Sequence, residues 1–362
     1  MKKEKVKNCR LGKIGGEAVI EGVMMRSGNK YAVACRREDG GITIVKDTCV
    51  SVRKKYKILN LPIIRGVAGM IESLILSFKS INIAADAMGL EEGEPSKFEK
   101  WLDRHFGKSI IDIIMVIATV LGVALACVLF MWLPALVAKG IEALIGAPLG
   151  GWKTLIEGII KIAIFILYLL LVSLMKDIRR TFEYHGAEHK SIFCYEAGVE
   201  LTPENAAKFK RFHPRCGTAF LFVALIISII IFSIFRLPWD NTLLRLVVKL
   251  PLVPLIVGVG FEFIMLTGKH DNALTRILTA PGLFMQRITT REPDLEQLEI
   301  AIAALKSAMP DEFPEFEAEH ERSEAELQAK LDAEKENTEE AQSEETEKVQ
   351  PDEKDENAAD EA

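Results

Sequence analysis

Hydrophobic positions are spread unevenly along the chain and gather in long runs between about residue 110 and residue 266. Residues 113–133 and 218–235 are uncharged, and 158–175 carries only Lys161, which can pair with Glu157 one turn away. Each run is close to the ~20 apolar residues that a helix needs to cross a bilayer. The first should stop before Pro134. A fourth run, about 243–266, is weaker because it holds Arg245, Lys249, Pro251, Pro254 and Glu262. Four spanning helices are therefore expected.

Before these runs the pattern changes twice. Over residues 14–50, Tyr31, Val33 and Cys35 alternate with small or basic neighbours, Asp39-Gly40 marks a turn, and Ile42 and Ile44 alternate again. Such alternation around Asp-Gly predicts a hairpin within a small β unit. Residues 62–88 read as an apolar helix, but Arg65, Glu72, Lys79 and Asp86 recur every seven residues as one polar stripe. A span would sink Glu72 near mid-bilayer, so an interfacial amphipathic helix is expected instead. The chain divides into a β-containing unit (1–57), the interfacial helix and linker (58–109), a four-span domain (110–308) and an acidic tail (309–362).

Charge sets the orientation. Lys and Arg are abundant in the first 109 residues and again in 176–216, whereas the 134–157 and 236–242 connections are nearly free of them. By the positive-inside rule the N-terminus, the 176–216 loop and the C-terminus face the cytosol, which suits a plasma-membrane protein. The net charge of −6 hides an acidic tail from Pro310 onward, with 22 acidic and 5 basic residues, on an otherwise basic chain. The tail has too few apolar residues to bury a core and is expected to be disordered, while the basic remainder suits anionic lipid headgroups. Membrane lipids are thus the expected partners, nucleic acid is not, and a homo-oligomer is compatible. The first thirty residues contain no apolar stretch of signal-peptide length. Six unpatterned cysteines, five of them on the cytosolic side of this topology, argue against a disulfide framework.

Candidate chemistry centres on Tyr184-His185-Gly186-Ala187-Glu188-His189-Lys190, an H-x-x-E-H pattern. On a helix His185, Glu188 and His189 share one face, which continues to Ile192 and Glu196. Two imidazoles one turn apart can bind a divalent metal, zinc foremost, with Glu188 as general base, as in the soluble inverzincin peptidases. The alternative is a pair of interfacial histidines bonded to headgroups or acids. His213 and Cys216 lie just before the third run, so they return to the same membrane face. Glu262 lies near the cytosolic end of the fourth run, with His270 and Asp271 just beyond it; an ionisable residue in an apolar span is a functional candidate. Its alternative is an interfacial ion pair. Thr202-Pro203-Glu204 predicts a helix start, and the following helix should end near His213, before Pro214. The glycine-rich segment 15–26, with Glu21 and Arg26, fits neither the P-loop nor the dinucleotide fingerprint.

Several long motifs in one order resemble a bacterial membrane family, the YqhQ-like family, catalogued as domain of unknown function 1385 and often labelled a predicted metal-dependent enzyme. The segments are 15–26, 62–66, 184–190, His213-Pro214-Arg215-Cys216-Gly217-Thr218, Ala280-Pro281-Gly282 and Thr289-Thr290-Arg291-Glu292-Pro293. The resemblance covers roughly residues 12–308 and implies metal dependence. Three functions are therefore in view. One is a metal-dependent hydrolase acting on a lipid-linked or membrane-protein substrate. The second is a scaffold that recruits cytosolic partners, and the third is a transporter built on a broken fourth helix.

Overall fold

The computed structural model describes residues 10–37, 40–88, 120–234, 242–269 and 273–319, with Ile117 and Arg322. It is mainly helical, with one small N-terminal sheet. The chain divides into two units, Met1–Ala308 and Met309–Ala362. In the second, a short helical run occupies 314–319, and the expectation of a disordered tail falls beyond the described residues.

Strands β1 (Ile14–Val19), β2 (Gly22–Ser27), β3 (Lys30–Arg36) and β4 (Ile42–Thr48) form an antiparallel sheet in sequence order. Tight turns make this meander feasible. Gly28 adopts φ 62° between β2 and β3, and Gly40 of the Asp-Gly pair adopts φ 86° between β3 and β4. Alternation then divides the side chains between two faces. Val19, Met24, Tyr31, Val33 and Cys35 cluster on one face with Leu76 and Ala84 of helix α2. On the other face Val23, Met25, Ala32 and Ala34 are completely buried. The sheet is thus the middle of three layers, which is why β3 is apolar on both sides.

The helices are α1 (Val52–Lys55), α2 (Ile64–Ala87), α3 (Leu133–Ile145), α4 (Lys153–Val172), α5 (Lys176–Glu196), α6 (Pro203–Ala207), α7 (Gly217–Ile234), α8 (Thr242–Lys249), α9 (Val253–Lys269), α10 (Ala273–Thr289) and α11 (Leu295–Ser307). Helices α5 and α11 cover the second face of the sheet. A capping box, with Asp294 and Gln297 bonding each other's backbone, starts α11. Its Leu298, Ile300, Ala301 and Leu305 are fully buried. Residues 295–307 therefore belong with the sheet and α5 rather than with the apolar helices.

Five helical stretches among the described residues are long and apolar enough to cross a membrane: Ile64–Ala87, Val120–Ile145, Gly150–Val172, Gly217–Ile234 and Val247–Thr267. The last four correspond to the four expected spans; the fifth is α2. The first differs from expectation, because helix continues through Pro134 to Ile145 after a π turn at Val128–Trp132. The wider turn accommodates a residue that lacks an N–H and would clash with the preceding carbonyl. Helix α2 has two faces. Glu72, Leu76, Ser80 and Ala84 are buried, while Ile71, Leu74, Ile75 and Phe78 are exposed. Its start crosses α9 so closely that a Cβ on Gly258 would lie 2.6 Å from the carbonyl oxygen of Ile63.

Candidate functional site

The H-x-x-E-H pattern lies in the middle of α5, where residues 184–192 are all closely packed. Gly186 makes that packing possible, since a Cβ there would sit 2.0 Å from the carbonyl oxygen of Arg291. The helix therefore presses against the segment after α10. In return the end of α10 serves the site: the carbonyl of Thr289, its last residue, accepts a hydrogen bond from His185 Nδ1 at 2.8 Å. His189 Nδ1 bonds the carbonyl of Arg211 in the same way. A carbonyl can only accept, so both Nδ1 atoms carry the proton and both Nε2 atoms present lone pairs.

Cys216 completes the group. Its Sγ is 3.2 Å from His185 Nε2, and with that nitrogen an acceptor the thiol donates. Ligand-capable atoms of His185, His189 and Cys216 all lie within 4.8 Å of one another. Glu188 borders them, with Oε2 3.8 Å from His185 Nε2. Burial pushes the Glu188 carboxyl up to about 7, against the pull of His185 and with the push of Glu17. The Gly16 N–H bonds this carboxyl, and a Cβ on Gly16 would meet Glu188 Cγ at 3.1 Å. The glycine-rich segment thus lets strand β1 lie against the acid.

His213 is the neighbour of this group rather than a member of it. Its ring centroid lies 5.4 Å from that of His189, and its Nδ1 accepts from the Arg215 N–H at 3.3 Å. Burial, reinforced by His189, Arg215 and His185, depresses its pKa to about 3. The loop that carries it is shaped differently from expectation. Helix α6 ends at Ala207, not near His213, because the buried Lys190 ammonium takes the Ala207 carbonyl at 2.8 Å. The remaining loop is held by Gln286, whose amide accepts from the His213 N–H and donates to the His213 carbonyl, both at 2.7 Å. Gln286 is completely buried, and no sequence pattern singles it out.

The other candidates are engaged elsewhere. Glu262 forms a two-pronged ion pair with Arg65 and accepts from the Ile63 N–H, where α9 crosses α2. Glu196 binds Arg215 and the Gly12 N–H, tying the chain ahead of β1 to the end of α5. Glu21, at φ 49° between β1 and β2, holds Arg180 and accepts from Tyr184 Oη at 3.3 Å. Arg26 makes a local bond to the Gly28 carbonyl. His270 and Asp271 lie outside the described residues. One acid absent from the sequence reading appears beside the site. Glu17 is held by Ser77 of α2, and burial raises its pKa.

A helical chain with apolar helices of spanning length, joined to a sheet that backs a buried His-His-Cys-Glu group, defines the protein's class. The chain belongs to the family described as protein of unknown function (DUF1385), whose model matches residues 61–311. It is 32% identical over 296 residues to the uncharacterized protein YqhQ of Bacillus subtilis (strain 168), covering 82% of this chain and 92% of that protein. No solved structure matches it.

Proposed function

We propose that the protein is a metal-dependent hydrolase of the plasma membrane, with His185, His189 and Cys216 holding a divalent ion, zinc by the softness of the donors, on the cytosolic side. The observation that carries this reading is the pairing of each Nδ1 with a backbone carbonyl, which leaves both Nε2 lone pairs beside a thiol within 4.8 Å. Such outer bonds fix tautomer and ring orientation in metal-binding histidines, and the Cys216 proton is the one a cation would displace. Three protein donors leave a position open, as in catalytic zinc sites. When bound, the ion supplies Lewis-acid polarisation of a substrate oxygen.

Glu188 is the proton carrier. A carboxyl at about 7 is divided between its two forms near neutral pH, so it can take a proton from an attacking water and return it to a leaving group. The Gly16 N–H and the packing of β1 hold it in place. His213, kept neutral, adds no positive charge that would repel a cation.

The same reading sets the membrane placement. The basic segments put the sheet, α5 and the loop to Cys216 on the cytosolic side. Helix α2 lies in the interface with Ile71, Leu74, Ile75 and Phe78 toward lipid and its polar side toward the sheet. Metal analysis of the purified full chain tests the core of this. Stoichiometric zinc that is lost in a His185→Ala/His189→Ala variant and kept in Glu188→Gln supports it. Wild-type protein without metal, still folded and still complementing a deletion strain, rejects it.

A further inference from the structure

A second feature shares walls with the site. A cavity of about 380 Å³ lies between the end of α4, the start of α5, the loop at Arg211 and the residues that close α10. Four arginines line it (Arg179, Arg211, Arg287 and Arg291) against two acids, Glu183 and Glu292. The acids are already engaged. Glu183 pairs with Arg179 and accepts from Gln297, and Glu292 pairs with Lys190 and Arg211. Among the described residues neither Arg287 nor Arg291 has an acidic partner; Arg287 lies over the Phe284 ring and Arg291 Nη2 donates to the Ser173 carbonyl.

Unsatisfied donors mark the same place. The Nε atoms of both Arg211 and Arg291 are buried behind the lining with no hydrogen-bond partner, so a small shift of either guanidinium is needed to turn them to the cavity. A native interior rarely leaves such groups unpaired, and four guanidinium groups against two engaged acids in one cavity lining suit an anion with several acceptor oxygens. Position adds a further constraint. Leu170 and Ser173, at the end of the apolar helix α4, form part of the lining, so under the proposed membrane placement the cavity would open at headgroup depth. It also adjoins the candidate metal group: the Arg211 carbonyl holds His189, and Thr290 of the lining follows Thr289, whose carbonyl holds His185.

We infer that this cavity is a binding subsite for a phosphoryl group, with Arg287 and Arg291 as the unneutralised cations and Arg211 as a third donor. As a substrate subsite it rests on the hydrolase reading and narrows it to phosphate-bearing substrates, lipid phosphates before soluble ones. The binding itself needs no metal. That separation makes the two readings independently testable.

The experiment uses the full chain in an uncharged detergent and three probes: inorganic phosphate, short-chain phosphatidic acid, and short-chain phosphatidylcholine with the same acyl groups. Calorimetry should show binding of phosphatidic acid but not phosphatidylcholine. Inorganic phosphate binding as well as phosphatidic acid would point to a soluble ester as the source; phosphate binding much more weakly would point to a lipid. In Arg287→Gln the affinity should fall roughly tenfold to a hundredfold, the loss of one charge-assisted bond. Arg291→Lys keeps the charge but loses the planar fork, and should weaken binding while leaving the unfolding temperature near wild type. A His185→Ala/His189→Ala variant should lose metal and retain phosphatidic acid binding. No binding of either inorganic phosphate or phosphatidic acid, or binding unchanged in Arg287→Gln and Arg291→Lys, overturns the subsite without touching the metal reading.

Discussion

Glu188 shows how a residue's chemistry depends on what surrounds it. The side chain is 5% exposed, with the His185 ring beside it and Glu17 adding to its discomfort. Its carboxyl sits at about 7 in the folded chain against an ordinary 4.5. Below pH 4.5 both folded and unfolded chains hold the proton and the shift costs nothing. Between 4.5 and about 7 only the folded chain keeps it, so stability declines as pH rises, levelling off above 7. The full decline is roughly 3 kcal/mol at ~1.36 kcal/mol per pH unit. Glu188→Gln removes this titration and keeps an acceptor for the Gly16 N–H. In chelated protein the variant should gain on wild type through that window, read by thermal unfolding at stepped pH. His213 acts in the opposite sense: kept neutral by burial, it costs stability as pH falls from about 6.5 toward 3, and does so equally in both proteins. Parallel curves for the two proteins would mean that Glu188 ionises freely.

At the scale of elements, the site exists because α5 meets the segment after α10 at contact distance. Gly186→Ala tests that contact. Its Cβ would overlap the Arg291 carbonyl at 2.0 Å and approach Pro293 at 3.3 Å, and α5 cannot retreat while the Arg291 N–H is bonded to the Phe182 carbonyl at 2.8 Å. The cost should exceed about 3 kcal/mol, at the upper end for overpacking. Gly140→Ala in α3 meets open space and should leave the unfolding temperature unchanged or slightly raised. Equal behaviour of the two variants would refute the close approach. Element types were legible in the chain: the alternation around Asp39-Gly40, the charge-free runs and the H-x-x-E-H spacing all report local period. Partners were not. Glu262 sits in an apolar run and invites a functional reading, but its partner is Arg65, 197 residues away in sequence. Gln286 and Glu17 stayed silent because nothing local marks a glutamine that clasps a distant peptide or a strand glutamate that faces a helix.

For the whole molecule, packing constrains how many helices can cross a bilayer. Strands β1 and β2 touch α5 and α11, so in a chain that crosses a membrane these segments would share one side of it. An even number of crossings must then separate the sheet from α5. Three candidates lie between them: α2, the stretch Val120–Ile145 and the stretch Gly150–Val172. One of the three cannot cross. We propose that α2 is the one that stays behind, because its second half joins the sheet's core through Leu76 and Ala84. Its buried acid supports that placement. Glu72 accepts from Ser51 at 2.8 Å and pairs with Arg53 at 3.0 Å, both from the connection that follows β4. Those partners would be unreachable if Glu72 lay at mid-bilayer. The expected outcome is that single exposed cysteines introduced at Lys57, before α2, and at Asp86, in its last turn, react with an impermeant maleimide from the same side. A cysteine at Gly151, between the two long stretches, should react only from the other. Labelling of positions 57 and 86 from opposite sides would make α2 a true span, and the contact of the sheet with α5 would then be untenable.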